Sequence, residues 1–250
     1  MANVMGKHLA VLAASLCVAA CACGAGREKV VFVCGHPDDL AGVAGTALLL
    51  AERFDVKIVD FTKGEGGCGE AGYRDGSTAR KRVAEERKAC AMLGTEPVFL
   101  DEVNFKGREA FAGRKTTEDL RRLFAEWKPR AVILHWPMDT HPDHIQSYAA
   151  SVHALHLAGL YPEIYLQEQT SQSRLFVPNC HVDITRVKEK KDKLILCYEC
   201  QGAEDIRRHK EDDAIFRARR VGIKGYVESF AAVDGTVPPN HSVLREIGAW

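Results

Sequence analysis

The sequence predicts a single α/β domain with a mostly parallel sheet in a Rossmann-like, three-layer arrangement. Apolar runs of strand length alternate with helix-length segments from residue 29 to residue 158. This alternation implies βαβ units, whose right-handed crossovers make neighbouring strands parallel. The chain has 250 residues, of which 46% are hydrophobic and 27% are charged, so it can bury a sizeable core. Basic and acidic residues number 34 each, and no basic stripe indicates a nucleic-acid partner.

The spacing of apolar residues defines the individual elements. We predict strands over 29–34, 56–61, 97–100 and 131–135, and helices over 42–53, 78–93, 117–127 and 144–158. Gly94 and Pro129 follow the second and third helices, where each residue favours a helix end. After residue 160 the pattern is less regular, and we predict a strand at 182–184 and helices over 186–200 and 203–219.

Residues 1–25 have the features of an export leader with a short tether. Lys7 precedes an apolar stretch over 9–20, which is too short to span a bilayer but has the length of a signal-peptide core. The Val-Ala-Ala before Cys21 resembles a bacterial lipobox, in which the cysteine is lipidated after cleavage. An ordinary secretory signal, cut a few residues later, is the alternative. We therefore expect a periplasmic or cell-envelope lipoprotein, with 26–250 as its domain and Cys21 as its only membrane contact.

Two histidine–aspartate clusters carry most of the functional information. HPDD at 36–39 follows the first predicted strand, and HPDH at 141–144 follows the strand over 131–135. In an open parallel sheet, ligands bind outside the carboxyl ends of the strands, so the two clusters should meet at one edge. A lone His-Pro-Asp is most often a turn with a capping aspartate. Two such motifs, each after a predicted strand, indicate a site instead.

The residue types in the clusters suit one zinc ion. A catalytic zinc takes about three protein ligands and leaves a position for water. His36 and Asp39 lie three apart on the turn after a strand, and His144 begins the helix after the second cluster. These three residues are the predicted ligands. Asp38 lies between two of them and is placed to accept a proton from the attacking water.

Three further residues have predicted or open roles around these ligands. His141 lies three residues before His144 and can face the substrate oxygen, where it would stabilise an oxyanion. Asp143 can orient His141 through a hydrogen bond. His135 is either a pocket wall or simply the end of a strand, and the sequence leaves both possibilities open.

Several segments together resemble one enzyme family. They are GHPDDLAGVAGT (35–46), TKGEGG (62–67), RVAEERKACAMLG (82–94) and DTHPDH (139–144), with weaker similarity over 182–194 and 225–230. The chain resembles the PIG-L/LmbE-like de-N-acetylases. The resemblance implies a Rossmann-like fold, one zinc ion on the three predicted ligands, Asp38 as the base, and His141 as an acid or oxyanion stabiliser. These roles agree with those argued from the residues.

The resemblance also indicates substrate-binding arginines and one departure. Family members often hold the substrate with an arginine near the second loop, and Arg82 is the matching position here. A helix-surface salt bridge with Glu85 or Glu86 is the alternative for Arg82. Arg74, in the glycine-rich segment, is a looser match. The first motif usually ends in glutamate, where this chain has Leu40, so metal affinity or pocket polarity should differ.

These observations predict an exported zinc-dependent hydrolase. Its substrate would be an N-acylated amino sugar or a glycoconjugate, and acetyl is the acyl group that the resemblance implies. One alternative is a non-catalytic carbohydrate-binding lipoprotein that keeps the pocket, which Leu40 favours and the retained Asp38 opposes. Another is a zinc hydrolase of a different bond, such as an ester. Phosphoesterases often use two metals, whereas this chain offers clear ligands for one.

Overall fold

A computed structural model describes residues 26–67, 74–102, 113–239 and 241–250. The predicted leader, with Cys21, lies outside the described residues. The same is true of 68–73 in the glycine-rich segment. In the described part of the chain, no helix combines the length and apolar character that crossing a membrane requires.

One mixed sheet forms the centre of the molecule. Its strands in the described residues are β1 (Lys29–Cys34), β2 (Asp55–Thr62), β3 (Val98–Glu102), β4 (Ala131–His135), β5 (Glu163–Gln167), β6 (Cys180–Asp183) and β7 (Val227–Ala232). The strand order is β3-β2-β1-β4-β5-β7-β6, and the first five are parallel. β7 runs antiparallel to both β5 and β6. The strand order reverses between β1 and β4, so a cleft is expected at their carboxyl ends.

Helices cover both faces of the sheet. They are α1 (Ala44–Ala51), α2 (Ser77–Ala91), α3 (Arg114–Trp127), α4 (Pro142–Leu157), α5 (Lys188–Ile195), α6 (Ala203–Arg220) and the short α7 (Val243–Glu246). Alternate residues of β1 enter two separate apolar cores. Phe32 packs in the core that includes residues of α1, α2, α5 and α6, and Val31 in the core that includes residues of α3 and α4. The mostly parallel, three-layer α/β prediction is therefore confirmed.

The described elements between residues 29 and 157 follow the prediction to within a few positions, whereas the later part differs. The helix predicted over 186–200 is shorter, with 3-10 turns at Thr185–Val187 and Glu199–Gln201 on either side of α5. β5 and β7 were not predicted, because each combines apolar residues with buried polar ones.

Glu228, the polar residue inside β7, fixes the start of α1. Its carboxylate accepts hydrogen bonds from the backbone N–H groups of Gly45 (2.9 Å) and Thr46 (2.7 Å) and from Nζ of the buried Lys191 (2.8 Å). A carboxylate at a helix N-terminus satisfies free N–H groups and complements the helix dipole. This contact holds α1, and with it the 3-10 turn Asp39–Gly42 that precedes the helix.

Candidate active site

The two histidine–aspartate clusters meet at the carboxyl ends of β1 and β4. His36 and Asp39 lie in the turn after β1, and His144 lies in the first turn of α4. One potential ligand atom from each of these buried side chains lies within 4.8 Å of the other two. Gly35 makes this approach feasible, because a Cβ there would stand 2.8 Å from His144 Cδ2 and 3.2 Å from Asp39 Oδ2.

His36 is oriented by carboxylates on both sides of its ring. Its Nδ1 lies 3.4 Å from Asp39 Oδ2, and its Nε2 lies 2.9 Å from Oδ2 of the fully buried Asp143. The sequence predicted that Asp143 would orient His141. In the structure the Asp143 carboxylate contacts His36, and the Asp143 backbone N–H donates to Nδ1 of His141, at 3.3 Å. Carboxylate partners of this kind fix the tautomer and direction of a metal-binding imidazole.

His144 has a carboxylate on each of its ring nitrogens. Its Nδ1 lies 3.2 Å from Asp139 Oδ1, and its Nε2 lies 3.5 Å from Asp39 Oδ1. Burial lowers the pKa of His144, but Asp39 and Asp139 outweigh burial and raise this pKa to about 10. Neither nitrogen makes a hydrogen bond of ordinary geometry. Two buried imidazoles and one carboxylate form a donor set that fits Zn²⁺.

Asp139 is a site residue that the sequence analysis did not single out. Its Oδ1 accepts from the backbone N–H of His141 at 2.7 Å, and its Oδ2 accepts from Ser173 Oγ at 2.8 Å. The contact to His144 therefore comes from a carboxylate that is itself held in place. The one sequence signal for this role is the position of Asp139 inside the DTHPDH segment.

His135 lies beneath the cluster of His36, Asp39 and His144. Its ring stacks on His144 with centroids 4.1 Å apart and planes 3° from parallel. Its Nε2 accepts from the backbone N–H of Gly35 at 3.0 Å and lies 3.2 Å from Asp39 Oδ2. Burial, and next the charge of His144, lower the pKa of His135 to about 4, so its ring is neutral. His135 is therefore a buried support of the site.

A cleft of 780 Å³ opens above the cluster. Its floor includes His36, Asp39 and His144, and its walls come from the glycine-rich loop, the loop after β5 and the first half of α6. Gln169 joins wall and floor: its Nε2 donates to the Asp39 carbonyl at 3.1 Å, and its Oε1 accepts from Lys210 Nζ at 3.3 Å. The volume is in the range of small-molecule sites.

Asp38 and His141 face this cleft beside the predicted ligands. The Asp38 side chain is 22% exposed, and its Oδ1 pairs with Arg82 Nη2 at 2.6 Å. The His141 ring centroid lies 4.6 Å from that of His36. Because Nδ1 of His141 accepts the Asp143 N–H, the proton of the neutral ring lies on Nε2. The site therefore contains a carboxylate acceptor and an imidazole donor.

The two predicted arginines lie in different environments. Arg82 is 5% exposed, and its guanidinium contacts Asp38 and the Pro37 and Gly64 carbonyls. It lines the cleft and does not form a helix-surface salt bridge. Arg74 is exposed and does not line the described part of the cleft. Substrate binding by either arginine stays a prediction.

Leu40 is fully buried in the apolar core against which α1 packs. The apolar residues around this position therefore require no hydrogen-bonding group from it. The three predicted ligands come together although the usual glutamate is missing.

Fold and site together define an α/β protein with a candidate metal centre at the switch point of its sheet. The sequence model of the GlcNAc-PI de-N-acetylase (PIG-L) family matches residues 31–155, which is half of the chain, and the protein belongs to this family.

Individual relatives agree with this assignment. The chain is 27% identical over 195 residues to a diacetylchitobiose deacetylase of Thermococcus kodakarensis, and the match covers 72% of each protein. The solved N,N'-diacetylchitobiose deacetylase of Pyrococcus horikoshii is 26% identical with a TM-score of 0.66, covering 84% of this chain and 85% of that one. GalB of Pseudomonas putida, a 4-carboxy-2-hydroxymuconate hydratase, has a TM-score of 0.71 at 22% identity, covering 86% of this chain and 100% of that one. GalB shares the fold, and the similarity indicates nothing further.

Proposed function

We propose that this protein is a zinc-dependent hydrolase that removes the acetyl group from an N-acetylated amino sugar or a conjugate of one. The observation that carries the proposal is the Asp38 carboxylate, which faces the cleft beside His36, Asp39 and His144. A binding protein has no need of a base at that point. The Thermococcus and Pyrococcus relatives, both named as diacetylchitobiose deacetylases, support the choice of bond and of substrate class.

His36, Asp39 and His144 would hold the zinc ion. When bound, zinc supplies Lewis acidity, which lowers the pKa of water to about 7 and stabilises negative charge on oxygen. Asp143 and Asp139 hold the two ligand imidazoles by the nitrogens that face away from Asp39. These carboxylates thus fix the directions of both imidazoles.

Asp38 transfers the proton in this reaction, and His141 stabilises the negative charge that develops on oxygen. Asp38 accepts the proton that the attacking water loses as the new C–O bond forms. The His141 Nε2–H donates to the carbonyl oxygen while that oxygen becomes anionic. Asp38 then returns the proton to the amide nitrogen, the C–N bond breaks, and acetate and a free amine leave.

Mass spectrometry of N-acetylated mono- and disaccharides tests the proposal. Zinc-loaded protein should convert at least one of them to the product that has lost an acetyl group. Chelation of zinc should abolish the conversion, and Asp38→Asn should lower its rate by about 10²- to 10⁴-fold. Sugar binding without conversion would favour a non-catalytic binding protein, and turnover of acetyl esters alone would favour an esterase.

Export with a lipid anchor is a separate part of the proposal. The apolar run after Lys7 and the lipobox-like residues before Cys21 support it. In a bacterium with lipoprotein processing, the wild type should fractionate with membranes, and Cys21→Ser should be released or remain unprocessed. Identical soluble behaviour of both proteins would leave only a secretory signal.

A further inference from the structure

The β5 loop, which we define as residues 168–173, contacts both histidine–aspartate clusters. It begins directly after β5, and its residues 169–172 line the cleft. Gln169 and Ser173 are nevertheless buried, with 7% and 8% of their surface exposed. Buried polar side chains cost free energy unless they find hydrogen-bond partners, so the partners of these two residues show what the loop holds in place.

Gln169 contacts the first cluster through its side-chain amide. Its Nε2 donates to the Asp39 carbonyl at 3.1 Å, and its Oε1 accepts from Lys210 Nζ at 3.3 Å. Because an ammonium group can only donate, Lys210 fixes the amide with its Nε2 towards Asp39. The carbonyl that Gln169 holds belongs to a predicted metal ligand at the start of a 3-10 turn.

Ser173 contacts the second cluster through Asp139. Its Oγ donates to Asp139 Oδ2 at 2.8 Å and accepts from the backbone N–H of Gln169 at 2.9 Å. The other oxygen of this carboxylate, Oδ1, lies 3.2 Å from Nδ1 of His144. One serine hydroxyl thus joins the start of the β5 loop to the carboxylate beside a second predicted ligand.

Backbone contacts keep the serine and this carboxylate opposite each other. Asp139 and Ser173 form an antiparallel bridge, and the N–H of Thr140 donates to the Gln172 carbonyl at 3.0 Å. Within the β5 loop, the N–H of Ser173 donates to the Gln169 carbonyl at 2.8 Å. The geometry of the hydroxyl and the carboxylate is therefore set by more than their own hydrogen bond.

We propose that the β5 loop is a shared support for the metal centre, in which Gln169 positions Asp39 and Ser173 positions His144 through Asp139. The two ligands come from different clusters, and their side chains approach to 3.5 Å between Asp39 Oδ1 and His144 Nε2. One loop thus holds the two clusters in register. Gln169 and Ser173 are positioning residues, because each acts through another residue. The inference rests on the proposed function, in which Asp39 and His144 bind zinc.

Metal titrations of four variants test the shared support. Gln169→Met removes the donor to the first cluster with little change in volume. Gln172→Met is its matched control on the same loop, at a residue whose hydrogen bonds within the described part of the chain are made by its backbone. Ser173→Ala removes the hydroxyl. Its control is Ser151→Ala, because Ser151 is equally buried and its hydroxyl donates to a backbone carbonyl of α4 at 2.7 Å.

Both positioning changes should weaken metal binding and alter the surroundings of the metal. Gln169→Met and Ser173→Ala should each lower Co²⁺ affinity by about 3- to 10-fold, which is less than the about 10- to 100-fold expected for a group that contacts a ligand directly. Each should also change the visible absorption spectrum of bound Co²⁺, which a general loss of stability would leave unchanged. The two controls should match the wild type in both measurements.

A double variant tests the route through Asp139. In the Asp139→Ala background the serine has no carboxylate to hold, so Ser173→Ala should lower Co²⁺ affinity by less than about twofold further. Gln169→Met acts on Asp39 and should keep most of its effect in that background.

Three results would overturn the shared support. The first is wild-type Co²⁺ affinity and spectrum in Gln169→Met or in Ser173→Ala. The second is an equal loss of affinity in a control variant. The third is an undiminished effect of Ser173→Ala in the Asp139→Ala background. If Gln169→Met or Ser173→Ala does not fold, Gln169→Leu or Ser173→Gly replaces it in the same comparison.

Deacetylation assays separate this inference from the proposed function. If the variants bind Co²⁺ more weakly but the wild type deacetylates no N-acetylated sugar, the shared support stands and the proposed function fails. If the wild type deacetylates a sugar but the variants bind Co²⁺ normally, the reverse holds. If the wild type binds no Co²⁺, crystal structures of the wild type and Ser173→Ala decide the inference. Loss of the contact between Asp139 and His144 in the variant alone supports it, and retention of that contact overturns it.

Discussion

Two groups of buried carboxyls flank Asp38. Asp39 forms one group, Glu86 and Asp60 form the other, and the two groups differ in charge. Burial raises the pKa of Asp39, but His144 and His135 outweigh burial and hold this pKa well below its ordinary value. Burial also raises the pKa of Glu86, to about 7, and that of Asp60 well above its ordinary value. Arg82 lowers the pKa of Asp60, but burial, Glu86 and Asp39 outweigh it. The neighbours, rather than the depth of burial, therefore decide which carboxyls are charged.

This difference in charge suits the two groups of carboxyls to different functions. The charged side can bind a cation, because its carboxylate is ionised and its imidazoles are aligned. The other side is poorly suited to a cation, because its carboxyls readily take up protons.

Asp39→Asn should have the largest effect, because it removes charge and a ligand from the cation-binding side. Zinc affinity should fall by more than about 100-fold, beyond the range for a residue that only orients a ligand, and activity should disappear. Asp60→Asn is the matched control: the same chemical change on the other side should leave zinc affinity unchanged. Isothermal titration of zinc into both variants measures this. Equal losses in the two would mean that the two sides do not differ as argued.

Asp38→Asn tests the residue between the two groups. Removal of the base should lower kcat by about 10²- to 10⁴-fold, the usual contribution of general acid–base catalysis. Zinc should still bind, since the three ligands are intact. Kinetics and metal analysis of the same preparation provide the measurement. Loss of zinc together with kcat would show that Asp38 belongs to the metal side.

Glu86 should make stability depend on pH. Its pKa is 4.5 in the unfolded reference and about 7 in the folded protein, so the folded state holds the proton more tightly. The resulting stabilisation is complete below pH 4.5 and is lost as pH rises through about 7. At about 1.4 kcal/mol per pH unit, the loss amounts to about 3 kcal/mol.

Glu86→Gln isolates this contribution, because the amide does not titrate. The free energy of unfolding of the wild type, relative to that of the variant, should decline from pH 4.5 to pH 7. Urea unfolding of both metal-free proteins across this range measures the difference. If the free energies of unfolding of the two proteins changed with pH in parallel, Glu86 would be ionised in the folded protein, as Asp39 is.

Asp139→Asn should have the smallest effect of the set. It keeps an oxygen near Nδ1 of His144 but removes the charge, so zinc affinity should fall by about 10- to 100-fold. Titration of zinc into the variant, beside Asp39→Asn, gives the comparison. A loss as large as that of Asp39→Asn would make Asp139 a ligand itself.

The sequence predicts those parts of the fold whose burial follows hydrophobicity. β1 and β4 are continuous apolar runs, and the structure gives 29–34 and 131–135 as predicted. β7 contains the buried Glu228, whose carboxylate is satisfied by Lys191 and by the start of α1, which are remote along the chain. Local periodicity contains no information on such partners.

The candidate site likewise has features that the sequence predicts and features that it does not. The convergence of His36, Asp39 and His144 could be predicted because strand ends of a parallel sheet converge, whatever the intervening sequence. The partner of Asp143, the support from His135 and the burial of Glu86 could not, because they depend on side-chain directions across the folded core. Glu86 lies in a charged helical segment, where sequence alone favours a place on the surface.

The pairing of β1 with β4 also has a consequence for the order of folding. His36 and Asp143 are 107 residues apart in the chain yet 2.9 Å apart in space, so the donor set exists only after β4 and the start of α4 have docked. Closing so long a loop is entropically costly and comes late relative to local helix formation. Zinc at 100 times its dissociation constant would stabilise the native state alone by about 2.7 kcal/mol. Zinc bound at this site would therefore stabilise the finished fold rather than nucleate it.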